Sequence, residues 1–437
     1  MKKILMIILF RVFSLIVLTA TISVCSVHKS SLEGHWSGVA ILNNEETSIK
    51  LDLVTENDSL FGNWSLPDLG MLKIPFQNFE FDADSGTILG DWNFINGTLE
   101  GNTILGDLNW HDSRAKFRIE KSQPEPLPYS QKEIEFHNGA VTLAGTLVIP
   151  EDQTPRTAVV FLHGSGQATR WQNLFFADRL ARLGIASLIY DKRGSGKSTG
   201  NWTRSSLQDL AKDAISAIDF LKSQAEIQEV SLWGHSQGCW VASVASSQTD
   251  DISFMIMVSG GGATPYEEEM YSYQIALNHA GASEVEKTEA NDLLEKYFNY
   301  LRVGQKRNEL LQAIEIARKK EWYKFVAIDK ILPSEKNRHN WSWVATYNPV
   351  PDIEKMKFPI LLLFGENDTD GPVDLAVRNW KKGLSKTGNK DYTIKIFPKA
   401  NHGIRLGGHH GGGNGWPWFA DGYLETLSSW LVEHVVK

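Results

Sequence analysis

The chain has 437 residues, a length that suits two or three domains. Hydrophobic residues make up 42%, charged residues 22% and aromatic residues 11%, which excludes a disordered, collagen-like or multi-span membrane protein. The net charge of −8, with no long run of Lys and Arg, argues against a nucleic-acid partner, and two cysteines, Cys25 and Cys239, cannot build a disulfide framework or a four-ligand zinc site.

Residues 1–25 read as a signal peptide. Lys2 and Lys3 precede an apolar stretch, Ile4 to Phe10 and Val12 to Ala20, interrupted by Arg11. Ile22-Ser23-Val24-Cys25-Ser26 loosely follows a bacterial lipoprotein box, although Val24 is larger than the small residue expected before the cysteine. The alternative is an uncleaved membrane anchor, for which the apolar run barely reaches the roughly 20 residues a span requires. The expectation is an exported bacterial protein, periplasmic or held at the membrane by an N-terminal lipid.

Residues 31–121 read as an all-β domain. Alternating stretches such as Thr47 to Val54 and Lys116 to Glu120 are separated by Gly, Asn and Asp clusters, as strands and turns should be. About eight strands would make a small barrel or sandwich. Gly34-His35-Trp36, Gly62-Asn63-Trp64 and Gly90-Asp91-Trp92 recur every 28 residues, with a looser echo ending at Trp110, which predicts one repeated hairpin-like unit. Exposed Trp faces would suit a carbohydrate or other ligand; the plainer reading is that these rings fill a small core. Residues 122–131, with Pro124, Pro126 and Pro128, read as a stiff linker, because proline cannot serve a ladder or a helix interior.

From residue 132 to the end, strands alternate with helices, the pattern of a mostly parallel sheet. Glu133 to Phe136 and Val141 to Ile149 predict an opening hairpin. Buried strands are expected at Thr157 to Leu162, Ile185 to Tyr190, Glu229 to Trp233, Ser253 to Val258, Ile360 to Phe364 and Tyr392 to Phe397. Helices are expected at Leu174 to Leu183, Leu207 to Leu221 and from about Ala420 onward.

The phrase Gly234-His235-Ser236-Gln237-Gly238 follows one of these strands and precedes the small-residue stretch Val241 to Ala245. Glycines at both flanks let a strand turn sharply into a helix, which lifts one serine hydroxyl above the sheet edge. Ser236 is therefore the candidate nucleophile. A serine needs a base to take its proton, and the base needs an acid to orient it. Asp368 lies just past the strand ending at Phe364, with Asp370 as the competing acid, and His402 lies just past the strand ending at Phe397. His409 and His410 stand in a Gly-rich loop and read as solvent-exposed, with metal binding as a weaker alternative. Acyl transfer also needs donors for the developing oxyanion. The backbone N–H of Ser165, in His163-Gly164-Ser165-Gly166, and that of Gln237 are the candidates; Ser165 lacks the flanking pattern of a nucleophile.

These motifs, together with Tyr190-Asp191-Lys192-Arg193-Gly194-Ser195-Gly196-Lys197-Ser198, resemble the α/β-hydrolase superfamily, and closely its serine esterases and peptidase-like hydrolases with a His-Gly-Ser-Gly loop. The resemblance covers residues 132–437. It implies an α/β fold, here an α/β-hydrolase sheet with a helical lid insertion behind the small all-β barrel or sandwich domain, and hydrolysis of a carboxylic ester or amide through an acyl-enzyme. The Gly196-Lys197-Ser198 phrase is not a phosphate-binding loop, because that motif needs a glycine where Asp191 stands.

Residues 263–349 form the expected lid. Thr264-Pro265-Tyr266-Glu267 is a capping-box start. Trp322, Tyr323, Trp341, Trp343 and Tyr347 would line the substrate pocket or pack on the sheet domain. Glu267, Glu268 and Glu269 would bind a substrate amino group, or simply favour the start of a helix. The expectation is a serine hydrolase acting on small-molecule esters without metal or organic cofactor. An aminopeptidase-like or aminoacyl-amide hydrolase is the alternative, and a non-catalytic glycan-binding protein a third reading.

Overall fold

The computed structural model describes residues 32–57, 59–151, 154–407 and 415–436. The expected signal peptide with Cys25, and the pair His409 and His410, lie outside the described residues. No helix among the described residues is long and apolar enough to cross a membrane. The described residues divide into two compact units, one within Met1–Ile41, Ser48–Trp64 and Pro75–Gln123, the other within Leu42–Thr47, Ser65–Ile74 and Pro124–Lys437.

The front sheet has nine antiparallel strands: β1 (Gly34–Leu42), β2 (Glu45–Glu56), β3 (Ser59–Leu66), β4 (Met71–Pro75), β5 (Phe79–Asp82), β6 (Thr87–Gly90), β7 (Ile95–Glu100), β8 (Thr103–Trp110) and β9 (Ser113–Ser122). Their order is β4-β3-β2-β1-β9-β8-β7-β6-β5, so two meanders join where β1 pairs with β9. The result is a half-barrel rather than two packed sheets. Period-two alternation selects the buried side: Thr47, Ile49, Leu51 and Leu53 on β2, and Ala115, Phe117 and Ile119 on β9, are buried while their neighbours are not.

The Gly-x-Trp spacing does not mark a repeated hairpin. Gly34 opens β1, Gly62 sits inside β3 and Gly90 closes β6, three inequivalent places in the meander. The rings differ as well. Trp36 and Trp110 are buried, and the Trp36 indole donates to the Leu32 carbonyl at 2.8 Å. Trp64 donates to the Asp91 carboxylate at 2.9 Å, whereas Trp92, in a turn of positive-φ residues, is 74% exposed.

The second sheet contains β10 (Tyr129–Asn138), β11 (Val141–Pro150), β12 (Thr157–Leu162), β13 (Ala186–Tyr190), β14 (Glu229–His235), β15 (Met255–Val258), β16 (Ile360–Gly365) and β17 (Tyr392–Phe397). Tyr129 to Gln131, expected in the linker, already belong to β10, because the hairpin register runs out to Tyr129 opposite Pro150. The order is β10-β11-β13-β12-β14-β15-β16-β17, antiparallel at the first two junctions and parallel from β13 onward.

Both faces of the central strands are covered, which explains why β12, β15 and β16 are buried at every position. Tyr392 to Phe397, expected as a buried strand, instead forms the edge strand β17 and is only partly buried. Val160, Leu162 and Leu188 pack under α2 (Leu207–Lys222), α3 (Gln237–Ser246) and α7 (Val373–Thr387). The alternate residues Val159, Phe161 and Ile189 pack under α1 (Leu174–Ala181) and α8 (Tyr423–His434). Between β15 and β16 the insertion forms α4 (Pro265–His279), α5 (Glu284–Val303), α6 (Arg307–Ala317) and several short turns. Thr264 caps α4 through a reciprocal bond with Glu267, and Pro265 occupies the first turn. The insertion has its own core, including Leu294, Tyr297, Phe298 and Leu301 of α5.

Candidate active site

The site gathers at the C-terminal ends of the parallel strands. β14 delivers Gly234 and His235, and α3 begins at Gln237, so Ser236 must make the whole turn by itself. It does so at φ 53° and ψ −122°, a backbone conformation strained for a residue with a side chain. Its N–H donates to the Val258 carbonyl at 2.9 Å, which ties the turn to β15. A Cβ on Gly234 would lie 2.7 Å from the backbone of Gly238, and one on Gly238 would lie 2.4 Å from the Leu162 carbonyl oxygen. Strand, turn and helix thus approach too closely for any other residue at these two positions. Cys239 is buried behind the turn, with its Sγ 3.3 Å from the Gly234 carbonyl; burial pushes its thiol pKa up, so it is an inert packing group.

β16 and β17 deliver the acid and the imidazole. His402 Nδ1 lies 2.8 Å from Asp368 Oδ2 and 3.0 Å from Oδ1. The Asp368 side chain is 2% exposed, and its Oδ1 accepts from the N–H groups of Asp370 at 2.8 Å and Gly371 at 3.1 Å. Asp370 stands 3.9 Å from His402 Nδ1 and is 31% exposed, so Asp368 makes the direct contact and Asp370 an indirect one. Burial by itself lowers the His402 pKa, but the bond to Asp368 and the negative charges of Asp368 and Asp370 outweigh it and raise the pKa. His402 reaches the Ser236 turn through His235, whose Nε2 lies 3.4 Å from the His402 carbonyl and whose ring centroid is 5.4 Å from the His402 ring. His235 is itself held neutral, its pKa lowered to about 4 by burial and by the neighbouring His402.

Asp368, Asp370 and His402 also bring ligand atoms within 4.8 Å of one another, close enough to share a cation. Each Asp368 oxygen is already engaged, however, one by two amides and one by the imidazole. Such bonding suits an acid that orients an imidazole.

The loop after β12 lies beside Ser236: a Cβ on Gly164 would come 3.5 Å from the Ser236 Cβ. Of the two expected oxyanion donors, Gln237 follows Ser236 directly in the chain, and Ser165 follows Gly164 in this loop. Lys192 connects them, a residue that motif reading passed over. Its ammonium donates to the Gly164 carbonyl at 2.9 Å and to the Gln237 side-chain oxygen at 2.7 Å. The buried ion pair of Arg170 with Asp191, 3.0 Å, and that of Arg193 with Asp213, 2.6 Å, fix the loop on either side of it.

The insertion contributes unevenly. Trp322 and Tyr323 are buried in its own core, and the Trp322 indole donates to Glu289. Trp341 donates to the Thr203 carbonyl at 2.7 Å, Trp343 packs edge-on against Trp240, and Tyr347 donates to Asp352. Trp322 and Tyr323 are thus packed inside the insertion, whereas Trp341, Trp343 and Tyr347 are only partly buried. Glu267 caps α4, whereas Glu268 is buried and lines a small void with Ser259, Gly260, Asp368 and Gly371. Burial, followed by the charges of Asp368, Glu269 and Asp370, raises the Glu268 pKa well above the ordinary carboxyl value. The Tyr271 hydroxyl of α4 donates to the Asp368 carbonyl at 3.3 Å.

The family described as serine aminopeptidase S33 matches residues 153–406, well over half the chain. Esterase EstD of Thermotoga maritima is 26% identical over 286 residues, 64% of this chain and 61% of that protein. The human protein ABHD12B is 35% identical over 94 residues, 21% of this chain and 25% of that one. The chain thus spans about three fifths of the first relative's length and a quarter of the second's. Among solved structures, an esterase of Pyrococcus furiosus aligns with a TM-score of 0.47 at 18% identity, covering 71% of this chain and 91% of that one. On the extent of the family match, the chain belongs to the serine aminopeptidase S33 family of α/β hydrolases.

Proposed function

We propose that the protein is a serine hydrolase that cleaves carboxylic esters of small molecules through an acyl-enzyme. The observation that carries the reading is the His402–Asp368 pair, 2.8 Å apart at strand ends, in contact through His235 with the turn that holds Ser236 at positive φ. In this mechanism His402 Nε2 removes the Ser236 proton as Oγ attacks the carbonyl carbon, and Asp368 keeps the Nδ1–H tautomer and balances the imidazolium. The N–H groups of Ser165 and Gln237 stabilise the oxyanion, assisted by the N-terminal dipole of α3. Collapse expels the alcohol, which takes its proton from His402. Water then attacks the acyl-enzyme through the same imidazole and releases the acid.

An aminoacyl amide is the second reading, favoured by Glu268, Glu269 and Asp370 gathered beside Asp368: burial favours the neutral form of the two glutamates, and a substrate ammonium paired with them would hold them ionised. The helical insertion of residues 263–349 acts as the lid in either case. Export, with attachment through Cys25 or an uncleaved signal, belongs to the same proposal and rests on residues 1–25.

Treatment with a fluorophosphonate followed by peptide mapping tests the reading. One adduct is expected on Ser236, absent in Ser236→Ala, with turnover of p-nitrophenyl esters reduced by about 10⁴-fold or more in that variant. An unlabelled wild-type protein would overturn it, and faster turnover of aminoacyl p-nitroanilides than of esters would favour the second reading.

A further inference from the structure

We infer that Lys192 is a positioning residue of the oxyanion hole: its ammonium holds the Gly164–Ser165 peptide and the Gln237 side chain together and lends both N–H donors the support of a buried positive charge. The inference rests on the reading of Ser236 as nucleophile given above.

Lys192 is only 4% exposed, and among the described residues no carboxylate lies within ion-pair distance of it. The nearest acid in the chain, Asp191, is committed to Arg170, which donates to it from its backbone at 2.9 Å and its side chain at 3.0 Å. The ammonium is instead met by two neutral oxygens, Gly164 O at 2.9 Å and Gln237 Oε1 at 2.7 Å, and by the Trp202 ring, 5.6 Å away. Burial lowers its pKa to about 8, so it remains largely charged at neutral pH. A cation kept dry without a counter-ion is costly to the fold, and a lysine used only to fill space would be better replaced by methionine. Its charge is felt nearby: His163, the first residue of the same loop, has its pKa lowered to about 4 by burial and by Lys192.

The placement matters because the Gly164 carbonyl and the Ser165 N–H belong to one trans peptide group and point in opposite directions. A cation pulling on that oxygen draws electron density through the peptide and makes the N–H at the other end a stronger donor. The same ammonium fixes the first residue of α3, whose backbone N–H is the second donor. Charge that develops on the substrate oxygen during attack therefore meets two oriented dipoles backed by a positive charge. The ground-state carbonyl, with little charge, gains far less.

Lys192→Met keeps the length of the side chain and removes the charge. Its readouts are kcat and KM on a p-nitrophenyl ester, and inhibition by a trifluoromethyl ketone, which forms an oxyanion adduct on serine, against its methyl ketone, which binds without one. The expected result is a kcat lower by about 10–100-fold, a trifluoromethyl ketone Ki raised in step, and KM and the methyl ketone Ki within about two-fold of wild type. A kcat within two-fold of wild type would overturn the inference. So would KM and the methyl ketone Ki rising as much as kcat falls, since that marks a displaced loop. Should Lys192→Met not fold, Lys192→Gln, which keeps a donor without the charge, carries the same readouts. Wild-type protein that fluorophosphonate leaves unlabelled would instead sink the underlying reading.

Discussion

Asp370 approaches the His402 imidazole to 3.9 Å from a partly exposed position, while Asp368 holds the same nitrogen at 2.8 Å from a buried one. Two carboxylates therefore face one imidazole, and only Asp368 is bonded to it. Both stabilise the imidazolium, so the acid limb of kcat/KM should lie above the ordinary histidine value of 6.5. In the proposed mechanism activity is lost as pH falls through that limb, because His402 must be neutral to accept the serine proton. Asp370→Asn removes one negative charge and should move the limb to lower pH with kcat on the plateau little changed. Asp368→Asn should instead lower kcat by about 10⁴-fold, the cost of losing the orienting acid. A pH–rate profile of the two variants decides between them, and an acid limb unmoved or raised in Asp370→Asn would refute the assignment.

Glu268 presents the opposite electrostatic case. It is buried among Asp368, Glu269 and Asp370, and its folded pKa is raised well above the ordinary 4.5. A carboxyl with a raised folded pKa contributes fully below its unfolded value, and that contribution is lost as pH rises towards the folded one. Glu268→Gln, which is neutral throughout, should therefore melt close to wild type below pH 4.5 and above it at neutral pH. The gap should widen with pH, at about 2–4 °C per kcal/mol. Melting curves from pH 4 to 9 provide the check; a gap that stays constant across the range would show that Glu268 does not titrate as described.

Much of this architecture was legible because its determinants are local. Thr157–Leu162 and Tyr392–Phe397 begin and end where the sequence predicts, since an unbroken apolar or β-branched run in the first, and one interrupted only by Lys395 in the second, meet His-Gly and Pro at their ends. The turn at Ser236 was equally legible, because the two glycines that permit it are two residues away on either side. The front domain was legible in its alternation but not in its spacing. The 28-residue interval of Gly-x-Trp invited a repeat, yet the meander places those glycines at a strand start, a strand interior and a strand end. Which loops would meet could not be read locally at all. Gly164, Lys192 and Gln237 come together only because β12, β13 and β14 are neighbours in the sheet although not in the order of the chain. The rings of the insertion illustrate the same limit, since nothing near Trp322 indicates that its indole will find Glu289, 33 residues away.

The tightest steric test of the nucleophile turn is Gly238→Ala. Alanine improves helix propensity by up to about 1 kcal/mol, which taken alone predicts a stabler α3. Against this, the added methyl would sit 2.4 Å from the Leu162 carbonyl oxygen and 3.1 Å from that of His163, both backbone atoms that cannot swing aside. Overpacking of this kind costs about 1–3 kcal/mol, so the clash should win and the variant should melt lower than wild type. Relief requires the end of β12 to move away from α3, carrying the 163–166 loop with it, so kcat should fall together with stability. Gly281→Ala is the matched control. That glycine has φ 70° with open space around it, so alanine there costs about 1–2 kcal/mol through backbone strain alone. Its kcat should be unchanged. Comparing melting temperature and kcat for the two variants separates a steric effect at the site from a general loss of stability, and a Gly238→Ala protein with wild-type kcat would mean that the loop does not depend on this contact.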